Sequence, residues 1–215
     1  MSLSFVSINV RGLKNIVKRK AFFLFCKEQQ ANFFFLQETH SETTDGKFWK
    51  QQWGDEILFS HGTSPSAGVM VLFNKFPGKV IGHKIDPDGH WLIMVIEMHD
   101  QKYILLCVYG YNNKTINRFT FMTEKVVMGG DFNIAPDSWL DHKPHRGQQP
   151  EYDDILTNLC TSTHTVDYWR ISNPTTVKYT WTNSADNNMR SRLDYWLISQ
   201  MIAKDVLKCE ISVSP

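Results

Sequence analysis

Four apolar runs crowd one stretch of the chain: Gly68–Phe73, Lys79–Ile85, Trp91–Met98 and Tyr103–Tyr109. Little room for helix lies between them, so consecutive runs are expected to pair as an antiparallel meander. The flanking sequence mixes both kinds of element. Leu3–Val10 reads as a first strand, Asn15–Gln30 as a helix and Phe33–Leu36 as a buried strand, and Trp49–Trp53 as the close of a short second helix. Further on, Val126–Met128 reads as a strand, Asp153–Cys160 and Val166–Trp169 as short helices, and Tyr179–Trp181, Leu193–Ile198 and Val206–Val213 as strands. Two multi-stranded sheets packed face to face with outer helices satisfy this order better than one doubly wound sheet.

No repeat, low-complexity tract or linker interrupts the 215 residues, so a single α/β domain is expected. Hydrophobic residues at 42% suffice for a sizeable core. A formal net charge of +1 provides no global field toward nucleic acid, so any basic surface must be local. Cys26, Cys107, Cys160 and Cys209 are far apart with no CxxC pair, as in reduced core thiols of an intracellular protein. The longest apolar runs are too short to cross a bilayer, which predicts a soluble protein without a membrane partner.

Polar residues recur where strands should end: Asn9, Glu38, Tyr109, Asp131 with Asn133, and Asp194. Asp131 and Asn133 leave the run Val126–Met128 two positions apart, a spacing that sends both side chains to one side of an extended chain. Gly129 and Gly130 before them are expected to clear the backbone for a ligand. Each of these residues by itself reads as a cap or turn. Together, strand ends converging on one rim make a cleft with a rigid floor. The carboxylates of Glu38, Asp131 and Asp194 suit a hard divalent cation bound through oxygen, as Mg²⁺ is. No His/Cys zinc pattern, Walker-type loop or GxSxG occurs.

The segments Asn9-Val10-Arg11-Gly12-Leu13, Leu36-Gln37-Glu38-Thr39-His40, Ala67-Gly68-Val69, Val108-Tyr109, Gly129–Asn133 and Ser191-Arg192-Leu193-Asp194-Tyr195 stand in an order that resembles the endonuclease/exonuclease/phosphatase superfamily. With Tyr179-Thr180-Trp181-Thr182-Asn183 and the run Arg192–Ser199 added, the chain is most similar to the endonuclease domains of LINE-type (non-LTR) retrotransposons, from Ser4 to Val213. The resemblance implies a four-layer α/β sandwich of two mixed β-sheets flanked by helices, the DNase-I-like fold. It implies Glu38 and Asn9 as holders of Mg²⁺, with Mn²⁺ able to substitute. By the same carry-over, Asp131 prepares the attacking water, Asn133 binds a phosphate oxygen, Tyr109 offers a phenolic proton, and Asp194 orients a histidine in a C-terminal Ser-Asp-His.

That last motif would follow Ser212-Val213-Ser214-Pro215, and none of the eight histidines stands there. The expectation is therefore a longer polyprotein cut before its last endonuclease motif and carrying a reverse transcriptase domain. A second departure is the stretch Gly110–Lys125, shorter than the helical crossover usual in the family. For DNA, Arg11, Lys14, Lys18, Arg19 and Lys20 form one basic cluster that reads equally well as a solvated helix face. His142, Lys143, His145 and Arg146 form a second, and Arg190 with Arg192 a third. Ser184–Arg190 reads as a protruding hairpin, which in the resembled domains lies against the minor groove. Asn112, Thr180 and Ser191 fall at further positions used around the cleft, and Trp139 is the tryptophan placed for surface contact.

The function implied is a Mg²⁺-dependent endonuclease that nicks double-stranded DNA and leaves a 3′-hydroxyl for reverse transcription, made in the cytoplasm and acting in the nucleus. An abasic-site repair nuclease or phosphatase of the same superfamily is the enzymatic alternative. A DNA-targeting module without catalysis is the third possibility.

Overall fold

The computed structural model describes residues 2–63, 65–110, 125–145 and 150–212, with backbone alone for 150–154. Contacts divide the chain into two compact units, Met1–Tyr109 and Gly110–Pro215.

The first unit opens with β1 (Phe5–Asn9), α1 (Ile16–Gln29), β2 (Phe33–Gln37) and α2 (Gly46–Trp53), followed by β3 (Ile57–Ser60) and β4 (Val69–Phe73). The sheet runs in the order β1-β2-β4-β3, with β1 parallel to β2 and the other pairs antiparallel. Helix α1 starts where the sequence suggests because Asn15 caps it, its side chain accepting from the amides of Val17 and Lys18. Phe23 and Cys26 of α1 join Trp49 and Trp53 of α2 over Phe34, Leu36, Met70 and Leu72 in one core cluster. Residues 33–36 are fully buried, so β2 is covered on both faces and carries no alternation. The meander β5 (Lys79–Ile85), β6 (Trp91–Met98) and β7 (Gln101–Tyr109) supplies a second set of strands in this unit. On β6, Leu92, Met94 and Ile96 are buried while the intervening residues are partly exposed, the period-2 pattern of a half-buried strand.

The second unit holds β8 (Val126–Asp131), β9 (His142–Lys143), α3 (Pro150–Thr163), β10 (Thr165–Asp167), α4 (Tyr168–Ser172), β11 (Trp181–Thr182), β12 (Arg190–Ser191), β13 (Asp194–Ser199) and α5 (Gln200–Ala203). Strand β13 pairs antiparallel with β10 on one side and β8 on the other. The short strands β11, β12 and β9 form a separate antiparallel ribbon, so the anticipated hairpin exists, but β11 pairs with β12 rather than with the strand from Leu193 to Ile198.

Two readings of the sequence fail here. Val166–Trp169 is not one helix: the chain stays extended to Asp167, whose carboxylate then caps α4 by accepting from Arg170 N. Residues 206–212 form no strand although Val206–Val213 was anticipated as one, and Leu207 is 86% exposed. The strands β3, β9 and β12 were not anticipated. All four cysteines are free, and burial pushes the thiols of Cys26 and Cys107 up to about 12. No helix among the described residues is long and apolar enough to cross a membrane.

Candidate active site

In the first unit, Asn9 closes β1 opposite Gln37, and Glu38 follows directly on β2. Asn9 Nδ2 donates to Glu38 Oε1 at 2.8 Å, and Asn9 Oδ1 accepts from the amide of Arg11 at 3.1 Å. The Asn9 carboxamide is thus fixed at both ends and orients the carboxylate through one of its oxygens. Glu38 keeps 26% of its side chain exposed, and His40 Nε2 lies 3.9 Å from Glu38 Oε2.

The local backbone explains why the surrounding motif needs its glycines. Glu38 and His40 adopt φ of +51° and +54°, a conformation costly for residues with a Cβ. Hydrogen bonds on both flanks hold it there: Gly12 N and Leu13 N donate to Glu38 O and Thr39 O, while Thr39 N and His40 N donate to Gly68 O and Ala67 O. A Cβ on Gly12 would sit 3.0 Å from His40 Nδ1, and one on Gly68 only 2.6 Å from Thr39 Oγ1. Tyr109 ends β7 at 9% exposure, its amide bonded to His90 O.

A carboxylate about a quarter exposed and oriented by a carboxamide offers oxygen ligands at a rigid strand end. These residues fit a hard divalent ion. Asp86, Asp88 and His90 form a second acidic group in the same unit, missed in the sequence, with ligand atoms within 4.8 Å of one another. Asp86 Oδ2 accepts from His90 N and faces His90 Nδ1 at 3.0 Å, bonds that also close the turn between β5 and β6.

In the second unit, Asp131 and Asp194 are register partners at the ends of β8 and β13. Directly opposed carboxylates repel across a sheet, a cost tolerated where function uses the charge. Asn133, at φ +53°, donates its amide N–H to Asp131 Oδ1 and its Nδ2 to Gly110 O. Gly110 N in turn donates to Asp131 O, and a Cβ on Gly110 would meet Phe132 O at 2.2 Å. Thr180 Oγ1 accepts from the amides of Leu193 and Asp194, and Tyr195 Oη lies 2.6 Å from both Ile134 O and Arg192 O. The loop after Asp131 and the segment before Asp194 are thus tied together by side chains of β13 and its approach.

Several expectations give way here. Gly129 does not clear room for a ligand: a Cβ there would lie 2.3 Å from the Trp196 ring, its cross-strand partner. Arg192, anticipated on DNA, is 1% exposed, with Nε and Nη2 on the two oxygens of Asp141 at 2.7 and 2.9 Å and Nη1 2.7 Å from Asp167. His142 and Ser191 are buried and bonded to each other, Nδ1 to Oγ at 2.6 Å. Thr180 spends its hydroxyl on backbone amides. Arg190 and Lys143 remain exposed, whereas Asn112 and Arg146 lie outside the described residues. In the helical cluster Arg19 is 3% exposed, which fits neither a solvated face nor DNA contact, and Lys14 pairs with Glu42 and Asp45.

The sequence profile of the endonuclease/exonuclease/phosphatase family matches residues 6–213. A transposon TX1 protein of 149 kDa from Xenopus laevis, itself uncharacterized, is 26% identical over 228 residues, covering the whole of this chain. The chain spans 17% of that relative's length. Among solved structures, an AP endonuclease from Leishmania major superposes with a TM-score of 0.79 at 16% identity, over 94% of this chain and 80% of that one. The endonuclease domain of TRAS1, a telomere-specific non-LTR retrotransposon, gives 0.60 at 13% identity, over 93% and 86%. These likenesses show the fold: two mixed β-sheets flanked by helices.

Proposed function

The chain belongs to the endonuclease/exonuclease/phosphatase family, and from that premise we propose that it is the endonuclease domain of a LINE-type retrotransposon polyprotein. Its reaction is hydrolysis of one phosphodiester in double-stranded target DNA, and the 3′-hydroxyl left behind primes a reverse transcriptase domain of the same polyprotein. Similarity to a transposon protein roughly six times longer (the chain spans 17% of it) supports that setting. Such an enzyme works on chromosomal DNA, in the nucleus, after synthesis in the cytoplasm.

Hydrolysing a phosphodiester adds a hydroxide equivalent to a centre that is already anionic, so a base, fixed donors and a cation are all needed. Glu38 with Asn9 beside it would hold Mg²⁺, or Mn²⁺ in its place, which supplies positive charge to the phosphate. Asn9 keeps the carboxylate in one orientation through the 2.8 Å bond, the observation that carries this reading. Asp131 accepts the proton of the attacking water. Asn133 Nδ2 has two hydrogens; one is on Gly110 O, and the other is available to a phosphate oxygen. Tyr109 offers its phenolic proton to the charge that develops, and Asp194 orients the histidine expected from the family pattern. Of the DNA contacts, Arg190 retains an exposed guanidinium.

The test uses the chain carried through the Ser-Asp-His that the family pattern places after Pro215. It should relax supercoiled plasmid with Mg²⁺ or Mn²⁺ and stop with EDTA. Glu38→Gln and Asp131→Asn should each lose nicking with unchanged thermal unfolding. Full nicking by either variant, or none by the unmutated protein, refutes the assignment. The fold likeness to an AP endonuclease favours one second reading, abasic-site incision. A strong preference for an abasic duplex over an intact one would select it.

A further inference from the structure

The ribbon β11-β12-β9 has two unlike faces. Trp181, Ser191 and His142 share one register row, and Ser191 and His142 are buried; Thr182, Arg190 and Lys143 share the next, and all three are exposed. Arg190 and Lys143 are direct cross-strand partners, a like-charge pair that weakens a ribbon unless an anion lies across it. Two residues past Lys143, the His145 ring packs against Trp139, with centroids 4.7 Å apart at 34°.

Trp139 is 67% exposed, the one exposed tryptophan among the described residues. Its indole therefore presents a flat apolar face to solvent that a second ring can stack on. The turn that presents it is rigid. Asp137 Oδ1 accepts from the amides of Trp139 and Leu140, Asp141 N donates to Asp137 O, and Asp141 is locked to buried Arg192. The acidic neighbours Asp137 and Asp186 are turned onto backbone amides, at Trp139, Leu140 and Asn188.

Paired cations beside a fixed, solvent-facing indole–imidazole pair match a polyanion that also presents flat apolar rings. We propose that Trp139 with His145 is a stacking platform for an unpaired nucleobase of the DNA, and that Lys143 and Arg190 hold the phosphates next to it. This deepens the DNA-endonuclease reading and rests on it. It adds a substrate preference: DNA with a displaced or bulged base over a fully paired duplex. Every base has a π-face, so the platform is indifferent to base identity.

The experiment measures binding by fluorescence anisotropy in EDTA, where no cleavage occurs, to a labelled fully paired duplex and to the same duplex with one bulged nucleotide. The bulged DNA should bind about tenfold more tightly, as expected for one stacked base. Trp139→Ala should erase that difference, and Trp139→Phe should keep most of it. Lys143→Ala should weaken both DNAs alike and lower the slope of log affinity against log salt by about one. Equal binding of the two DNAs by the unmutated protein overturns the platform. So does an equal loss on both DNAs, or no loss, in Trp139→Ala, and so does absence of binding to either. Plasmid nicking without a bulge preference would leave the endonuclease reading standing and remove the platform alone. A bulge preference without nicking would do the reverse.

Discussion

Arg192→Met tests the buried network that underlies the second unit. Met fills much of the space of the arginine stem but removes every charged contact of a guanidinium that is 1% exposed. Asp141, wholly buried, then loses two of its four donors, Arg192 Nε and Nη2, and keeps Arg170 Nη2 and the amide of Asp137. Asp167 loses its partner at 2.7 Å, and the rings of Tyr195 and Trp169 lose the cation 4.3 and 5.2 Å from their centroids. Burial alone would drive the guanidinium toward its neutral form. The bonds to Asp141 and the field of Asp167 outweigh that and keep its pKa above the ordinary arginine value. Stripping one member from such a pair costs about 3–5 kcal/mol, because the remaining charge stays buried. For a chain of this size that corresponds to a fall of about 6–20 °C in Tm. Arg170→Met removes one charged hydrogen bond from Asp141 and should cost less, about 1.5–3 kcal/mol. The double variant Arg192→Met/Asp141→Leu removes both charges and should recover at least about 2 kcal/mol over the sum of the singles. Urea unfolding followed by tryptophan fluorescence reads the unmutated protein, the three single variants and the double variant, and the loss belongs to the transition of the unit that holds Arg192. A cost below about 1 kcal/mol for Arg192→Met, or a double variant no better than additive, would refute the argument that a buried ion pair organises this region.

Gly129→Ala places a methyl 2.3 Å from the Trp196 ring and should destabilise by about 1–3 kcal/mol, with Trp196→Leu restoring part of the loss in the same urea assay. His61, half-buried against Phe59 and bonded to Ser41 Oγ, has its pKa lowered from 6.5, chiefly by burial. The unfolded chain therefore binds more protons as pH falls below about 6.5, and stability should drop there and level off below the folded-state pKa; His61→Asn should flatten that part of the profile, and an unchanged profile would refute the assignment.

The meander could be read from sequence because each strand is long enough to display its period: the limits Lys79–Ile85 and Trp91–Met98 match the structure residue for residue. Two-residue strands such as His142–Lys143 have no period to display, and their pairing with Arg190–Ser191 is set by partners almost fifty residues away. The same distance hides charge. Arg19 and Arg192 read as surface cations because nothing nearby in the chain announces Gln52 or Asp141, the partners that make their burial possible. The candidate site was legible by residue type but not by backbone. Glu38 stands at a left-handed φ, and the signal for it lies in the other two motifs: Gly12 from one and Gly68 from the other are the positions where no Cβ is tolerated beside the Glu38–His40 turn. Gly129 looked like the same signal and was not, since the ring of Trp196 is what crowds it. A glycine next to a polar strand end thus reports a close approach without naming what approaches. Only the register across the sheet distinguishes a ligand from a neighbouring side chain.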